Sequence, residues 1–243
     1  MKLALNYARM ESLELVRLPS FIVPTLLFPA LFFLFFVVPG APNDEADLLL
    51  ASYVGFAFLG IAFFQFGVGI AAERTSPWEV YLRTLPVAPR TRFTGKVLSA
   101  LALATASGLV VIAVALATTS AHLGPLEWLS LAAGLLGGSV PFVLLGVALG
   151  YLCGPKGALP LANLLYLSLA YLGGVWTGAG RLPTAVSLFS PYLPTREWME
   201  ILWAAAGGSA QPARYWAALA GWGVAFALLA GWAYRRDEGQ RFR

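Results

Sequence analysis

Charge is scarce in this sequence. Only 12% of its 243 residues are charged and 59% are hydrophobic, whereas soluble domains carry about 25% charged residues. A chain with so few charges cannot cover a water-facing surface, so a lipid bilayer must surround much of it. The chain also has a single cysteine, Cys153, which excludes an intrachain disulfide and a cysteine-based metal site. We therefore expect an integral membrane protein.

Catalytic and nucleotide-binding groups are missing as well. The three lysines stand in the contexts Met-Lys-Leu, Gly-Lys-Val and Pro-Lys-Gly, and a P-loop needs Gly-Lys-Ser or Gly-Lys-Thr. The one histidine, His122, cannot form a metal site, and the long apolar stretches contain no paired carboxylates. We predict no enzymatic activity, no catalytic or metal-binding residue and no cofactor on this chain.

Six apolar stretches are long enough to cross about 30 Å of hydrocarbon as helices, which takes about 20 residues. None of them contains Asp, Glu, Lys or Arg, and none alternates as the strands of a membrane β-barrel do. They predict an all-α polytopic membrane protein with a single transmembrane domain over residues 1–243. The six predicted spans are Phe21–Val38, Leu48–Ala72, Val97–Ala121, Trp128–Leu152, Ala158–Trp176 and Tyr215–Tyr234.

The basic residues predict the orientation of these spans. With the N-terminus inside, 13 of the 16 Lys and Arg residues fall on the inner side, in agreement with the positive-inside rule. The first outer loop, PGAPNDEAD, is acidic. We expect a multi-pass protein of the plasma (cytoplasmic) membrane with both termini in the cytoplasm. Because the basic residues lie at span ends, the net charge of +4 does not indicate a nucleic-acid partner.

Residues 1–19 predict an amphipathic helix on the inner surface of the bilayer. Leu3, Tyr7, Met10 and Leu13 recur at helical spacing, which gives the helix one apolar face. Pro19 closes this pattern, and a helix of this kind lies along the membrane surface before the chain turns into the first span.

The last outer loop, residues 177–214, contains a further apolar stretch over residues 184–206. Its charged residues would each cost at least about 2.5–3.5 kcal/mol at mid-bilayer, so we do not predict a seventh span. We expect a re-entrant or interfacial helical hairpin on the outer face. Trp198, Ile201 and Leu202 share one helical face there, which suits the headgroup layer.

Residues 73–96, called here the 73–96 segment, connect the second and third spans on the inner side. Ser76 can cap a short helix, Pro77 suits its first position and Pro86 ends it. An isolated helix of about two turns is marginal in water, so its apolar face must pack on something. The alternatives are the protein's own helices, lipid, or a groove on a soluble partner. This face comprises Trp78, Tyr81, Leu82 and Leu85.

Three features together resemble the type-2 ABC exporter permeases. They are the N-terminal surface helix ending in Pro19, the six spans and the motif Glu-Arg…Trp-Glu…Leu-Arg-Thr-Leu-Pro-Val…Gly-Lys. In that family the loop that matches the 73–96 segment holds the cytoplasmic coupling helix, which inserts into a nucleotide-binding subunit. The resemblance implies that the following residues couple this chain to an ABC ATP-binding subunit: Glu73, Arg74, Trp78, Tyr81, Leu82, Arg83, Leu85 and Pro86.

The resemblance also implies partners and a transport path. One coupling helix per chain implies two permease copies, as a homodimer or a paralogous heterodimer, and two ATP-binding subunits that hold ATP and Mg. In that family cargo passes between the two copies, partly along the second and fifth spans. Gln65, Asn163 and Tyr166 are candidates for this path. The alternative for the two amides is hydrogen bonding between helices, and for Tyr166 it is packing in the core.

We predict export of a lipophilic or amphipathic cargo, such as a drug, a lipid or a lipid-linked molecule, because span walls without charge suit such cargo. One alternative is an ion-coupled secondary transporter, although such carriers place charged residues inside the membrane and the predicted spans have none. The second alternative is a membrane subunit that has an ABC-like scaffold, serves in assembly or sensing, and does not transport cargo.

Several glycines are spaced as small-xxx-small motifs, namely Gly134 with Gly138 and Gly146 with Gly150. This spacing lets helices approach closely. The sequence leaves two alternatives open, which are packing within the chain and a seam between two copies.

The six-span topology can be tested with reporter fusions. Fusions after residues 43, 122 and 208 should report the outer side, and those after residues 90, 156 and 240 the inner side, because the basic residues stay with the cytoplasm. An outer C-terminus would show that residues 184–206 cross the membrane and would contradict the six-span topology.

Overall fold

The computed structural model describes residues 2–40, 45–77, 81, 89–178 and 182–241, and the regular structure within these ranges is helical. The predicted all-α class is confirmed. In chain order the elements are α1 (Lys2–Val16), α2 (Pro19–Phe36), α3 (Ala46–Ile61), a π-helical segment (Ala62–Val68), α4 (Gly69–Glu73), α5 (Pro89–Thr118), α6 (Pro125–Gly138), α7 (Val140–Leu152), α8 (Pro155–Leu172), α9 (Thr184–Ser187), a 3-10 turn (Ser190–Tyr192), α10 (Pro194–Ala206) and α11 (Ala213–Arg241).

Within the described ranges, five helical stretches are long and apolar enough to cross a membrane, which confirms the polytopic class. The predicted fifth span falls on α8, which has 18 residues and is therefore about 27 Å long. Lys156, Pro160 and Asn163 make α8 less apolar than the others, and the count of six spans stays a prediction. The five stretches are Pro19–Phe36, Ala46–Glu73, Arg90–Thr118, Pro125–Leu152 and Ala213–Glu238.

Both terminal helices reach the same end of the helix bundle. Near that end, Glu11 of α1 contacts Lys96 of α5, and Arg74, just after α4, contacts Asp237 of α11. We call this end, from which the 73–96 segment leaves the bundle, the basic end. The opposite end is called the far end.

Helix α1 is held by small residues. Ala4 and Ala8 are buried, and the backbone of α1 lies so close to Gly95 of α5 that a side chain at Gly95 would meet the Ala4 carbonyl at 3.1 Å. The apolar side chains Leu3 and Met10 of the predicted stripe remain exposed, by 52% and 69%. Helix α1 therefore packs on α5 with its small face and leaves its larger apolar residues for contact with lipid.

The second span is the centre of the molecule, and most of α3 is buried. Its continuation is the π-helical segment, in which one extra residue per turn displaces carbonyl groups from the regular helical pattern. Helix α7 packs directly on these carbonyls. A side chain at Gly150 would meet the Phe66 oxygen at 2.8 Å, and one at Gly146 would overlap the Ala62 oxygen. These glycines therefore pack within the chain.

Helix α10 lies inside the bundle, which corrects the expectation that its apolar face meets the headgroup layer. Trp198, Ile201 and Leu202 are fully buried, and the Trp198 indole donates a hydrogen bond to the Gly134 carbonyl at 3.0 Å. Trp198 also lies against Gly138, the last residue of the 14-residue α6, which is about 21 Å long. The indole thus enters the bundle where α6 has glycines, and a re-entrant hairpin in this loop stays a prediction.

Two of the three charged side chains on α10 form an ion pair within the protein. Arg196 pairs with Glu200 at 2.7 Å, and its guanidinium lies over the Trp203 ring at 4.8 Å. The Trp203 indole in turn donates to Ser52 of α3 at 2.7 Å. Internal pairing of this kind lets a charged helix enter the bundle without crossing it.

The contact between α7 and the π-helical segment predicts a stability effect. Gly146→Ala would place a methyl group on the Ala62 backbone oxygen, which cannot move without shifting the second span. We expect a loss of about 1–3 kcal/mol of stability, measured as a lower melting temperature in detergent. Gly231→Ala on α11, where a side chain meets open space, is the matched control. Equal melting temperatures for the two variants would contradict this packing.

Candidate functional site

The residues predicted to couple this chain to a partner begin at the end of the second span. Glu73 is the last residue of α4, and Arg74 follows it. Tyr81 is helical in backbone and 52% exposed. The remaining predicted residues of this group lie outside the described residues; they are Trp78, Leu82, Arg83, Leu85 and Pro86.

Lys96 joins the two ends of the 73–96 segment. Its ammonium nitrogen lies 2.5 Å from Oε1 of Glu73 and 3.0 Å from Oε1 of Glu11. Lys96 is only 7% exposed, and a buried cation is tolerated when carboxylates neutralise it. The segment thus starts and ends at one ion pair, and the second carboxylate ties that pair to α1.

Gln65 lies beside this ion cluster, within the π-helical segment. Its amide nitrogen donates to Glu11 at 3.3 Å and to Ser99 of α5 at 3.4 Å, and the Ser99 hydroxyl is 3.0 Å from that of Ser12. Gln65 is 3% exposed. Its side chain bonds between helices, which is the alternative to lining a path.

Tyr166 and Asn163 occupy different surroundings, although both are on α8. Tyr166 is buried, stacks on Phe56 with ring centroids 4.5 Å apart, and donates its hydroxyl to the Phe56 carbonyl at 3.3 Å. Asn163 is exposed on the outside of the chain, beside the exposed Leu164. The three candidate path residues therefore do not meet within the chain, and their assignment to a cargo path stays a prediction.

Arg74 extends the site to two more spans. One guanidinium nitrogen contacts Oδ1 of Asp237 on α11, and the other donates to the Cys153 carbonyl at the end of α7, at 2.8 Å. Sequence reasoning missed Glu11, Lys96 and Asp237 as members of this site. The available signal was that Lys96 and Asp237 are charges next to apolar stretches, and such charges need partners.

These features define an all-α multi-pass membrane protein in which ion pairs hold the base of a connecting segment. The family description "ABC-2 family transporter protein" matches residues 40–232, and the chain belongs to this family. It is also 24% identical to "Putative transport permease YvfS" of Bacillus subtilis (strain 168) over 234 residues, which cover 94% of this chain and 95% of that protein. The predicted resemblance to ABC permeases is confirmed, and the chain is the membrane subunit of an ABC transporter.

The different surroundings of the two amides predict different effects of their removal. Gln65→Leu should lower thermal stability modestly, because it removes two interhelical hydrogen bonds and such bonds average about 0.6 kcal/mol. Asn163→Leu should leave the melting temperature unchanged, because its side chain is exposed.

Cysteine labelling in a Cys153→Ala background separates the two sites independently. Asn163→Cys should react with a water-soluble thiol reagent if its face lines a wet path, whereas Gln65→Cys should be protected. Protection of both sites in every nucleotide state would remove both residues from the path.

Proposed function

We propose that this chain is the permease of an ABC exporter that is driven by ATP hydrolysis on a separate chain. Two copies, as a homodimer or a paralogous heterodimer, pair with two ATP-binding subunits, which hold ATP and Mg. The complex moves a lipophilic or amphipathic cargo out of the cytoplasm across the plasma membrane, and both termini of this chain are cytoplasmic. Membership of the ABC-2 family supports the pairing with an ATP-binding subunit.

The observation that carries the proposal is the ion-paired base of the 73–96 segment. A segment that receives a movement from a soluble partner must be fixed where it joins the spans, because a loose joint would absorb the movement. Glu73 and Lys96 fix the two ends to each other at 2.5 Å. Beyond this base, Tyr81 exposes half of its side chain, as a docking surface requires.

The docking face proposed for the partner consists of one helical side of the segment. Helices that bind a groove use apolar anchors at helical spacing, and a few buried aromatic or aliphatic anchors supply most of the affinity of an interface. We assign the anchoring role to Trp78, Tyr81, Leu82 and Leu85. The other residues of the coupling group lie at the edges of this face; they are Glu73, Arg74, Arg83 and Pro86.

Asn163 supports the presence of a second copy. It is exposed on α8 next to Leu161 and Leu164, which are exposed by 37% and 62%. An amide that faces hydrocarbon without a partner costs several kcal/mol. We therefore propose that this face of α8 turns towards the second permease copy, across the cargo path, and away from lipid.

The docking face can be tested by removing two of its anchors. Trp78→Ala and Leu82→Ala should each weaken binding of the ATP-binding subunit by roughly 2 kcal/mol or more, because each removes apolar surface from the groove. Affinity is measured by titrating the purified subunit onto the permease in nanodiscs, together with permease-stimulated ATP hydrolysis.

The control for loss of an exposed aromatic residue is Tyr192→Ala at the far end, where the side chain is 74% exposed. This variant should bind the ATP-binding subunit with the affinity of the wild type. If the Trp78→Ala, Leu82→Ala double variant bound the subunit as tightly as the wild type, the 73–96 segment would not be the docking site.

A further inference from the structure

We propose that Asp237 is a positioning residue for the 73–96 segment, which it holds through Arg74, and that the last span thereby takes part in coupling. This inference deepens the proposed function and rests on it. Asp237 is near the C-terminal end of the chain, 163 residues from Arg74, and it does not belong to the segment or to its predicted docking face.

The geometry at Arg74 joins three spans through one side chain. Arg74 follows the second span, the Cys153 carbonyl closes the fourth, and Asp237 lies on the continuation of the last. The guanidinium contacts Asp237 with one terminal nitrogen and donates to the Cys153 carbonyl at 2.8 Å with the other. A guanidinium has donors in a rigid fork, so these two contacts also fix its orientation.

Burial gives this contact more weight than a surface ion pair has. The side chains of Arg74 and Asp237 are only 14% and 12% exposed. Exposed pairs contribute little because water screens them, whereas breaking a buried pair is costly because a charge is left without its counter-charge. This pair lies between the two limits, at the position where the 73–96 segment leaves the bundle.

The rest of the α11 terminus shows that Asp237 has a separate role from its neighbours. Helix α11 has 29 residues and is about 44 Å long, so it extends beyond a bilayer core of about 30 Å. Arg236 turns to the Trp232 ring, at 5.4 Å, and Glu238 accepts the Tyr234 hydroxyl at 2.5 Å. Of these consecutive charged residues, Asp237 is the one directed to Arg74.

The contact gives the segment a second tether. Lys96 and Glu73 connect its base to α1 through Glu11, and Arg74 connects its first residues to α7 and α11. A movement of the segment is therefore passed to the last span as well as to the second and third. Without Asp237, the beginning of the segment would be free to shift without carrying α11 along.

The first arm of the test measures the segment itself and needs no partner. The full-length permease in nanodiscs is digested with limiting trypsin, and the rate of cleavage after Arg83 or Arg90 is followed by mass spectrometry. Asp237→Ala should raise this rate about tenfold, the factor that corresponds to about 1.4 kcal/mol. Glu238→Ala removes an acidic residue at the next position and should leave the rate unchanged.

Conservative changes at Asp237 separate positioning from a general loss of structure. Asp237→Glu keeps a carboxylate opposite Arg74, and its cleavage rate should stay close to that of the wild type, whereas Asp237→Asn has the shape without the charge and should be cleaved as Asp237→Ala is. Equal rates for wild type and Asp237→Ala would overturn the proposal, and so would an Asp237→Asn variant that is protected as the wild type is.

The second arm adds the ATP-binding subunit. Asp237→Ala should bind it with unchanged affinity, because the docking face is intact, and should lose severalfold in permease-stimulated ATP hydrolysis, whereas Asp237→Glu should keep the stimulation of the wild type. Normal stimulation with a loosened segment would overturn the role in coupling. A wild-type permease that stimulated no ATP hydrolysis would contradict the proposed function, while the tryptic result would still decide whether Asp237 positions the segment.

Discussion

A buried cation sets the arrangement of the basic end. Lys96 is at the start of a span and almost fully buried, where water cannot neutralise it and protein groups must. Its two carboxylates, Glu11 and Glu73, come from different helices. Neutralising one charge therefore fixes the surface helix α1, the end of the second span and the start of the third. The two ends of the 73–96 segment take their positions from this requirement.

The same requirement explains the far end, where charge enters the bundle on α10. Arg196 and Glu200 neutralise each other within one helix, Gly138 leaves the space into which Trp198 inserts, and Gly134 lies against Ile201 and Leu202. Helix α10 thus carries both large apolar side chains and an ion pair, and it packs into a groove that the glycines of α6 leave open. Helix α10 therefore carries charge into the bundle although no predicted span contains any. Spans without charge do not by themselves exclude an ion-coupled carrier.

The sequence predicted the parts of the fold that depend on local properties. Apolar length is local, so the helical class and five apolar stretches of membrane length were predicted, and the motif around Glu73 and Arg74 indicated the family. Pairing over long sequence separations was not predictable. Nothing in a single sequence brings Asp237 to Arg74, because the match depends on how α11 packs along α7. The burial of Trp198 against α6 was not predicted for a related reason, since Trp198 suits a membrane interface and a glycine groove equally well.

Glu11 links the base of the 73–96 segment to the interior of the second span. Its Oε1 accepts from the Lys96 ammonium at 3.0 Å and from the Gln65 amide at 3.3 Å. Gln65 belongs to the π-helical segment, a geometry that occurs often at functional sites. A displacement of Lys96 alters the partner of Gln65 through one shared oxygen. The surface helix α1 thus connects an event at the base of the segment with the most irregular part of the central span.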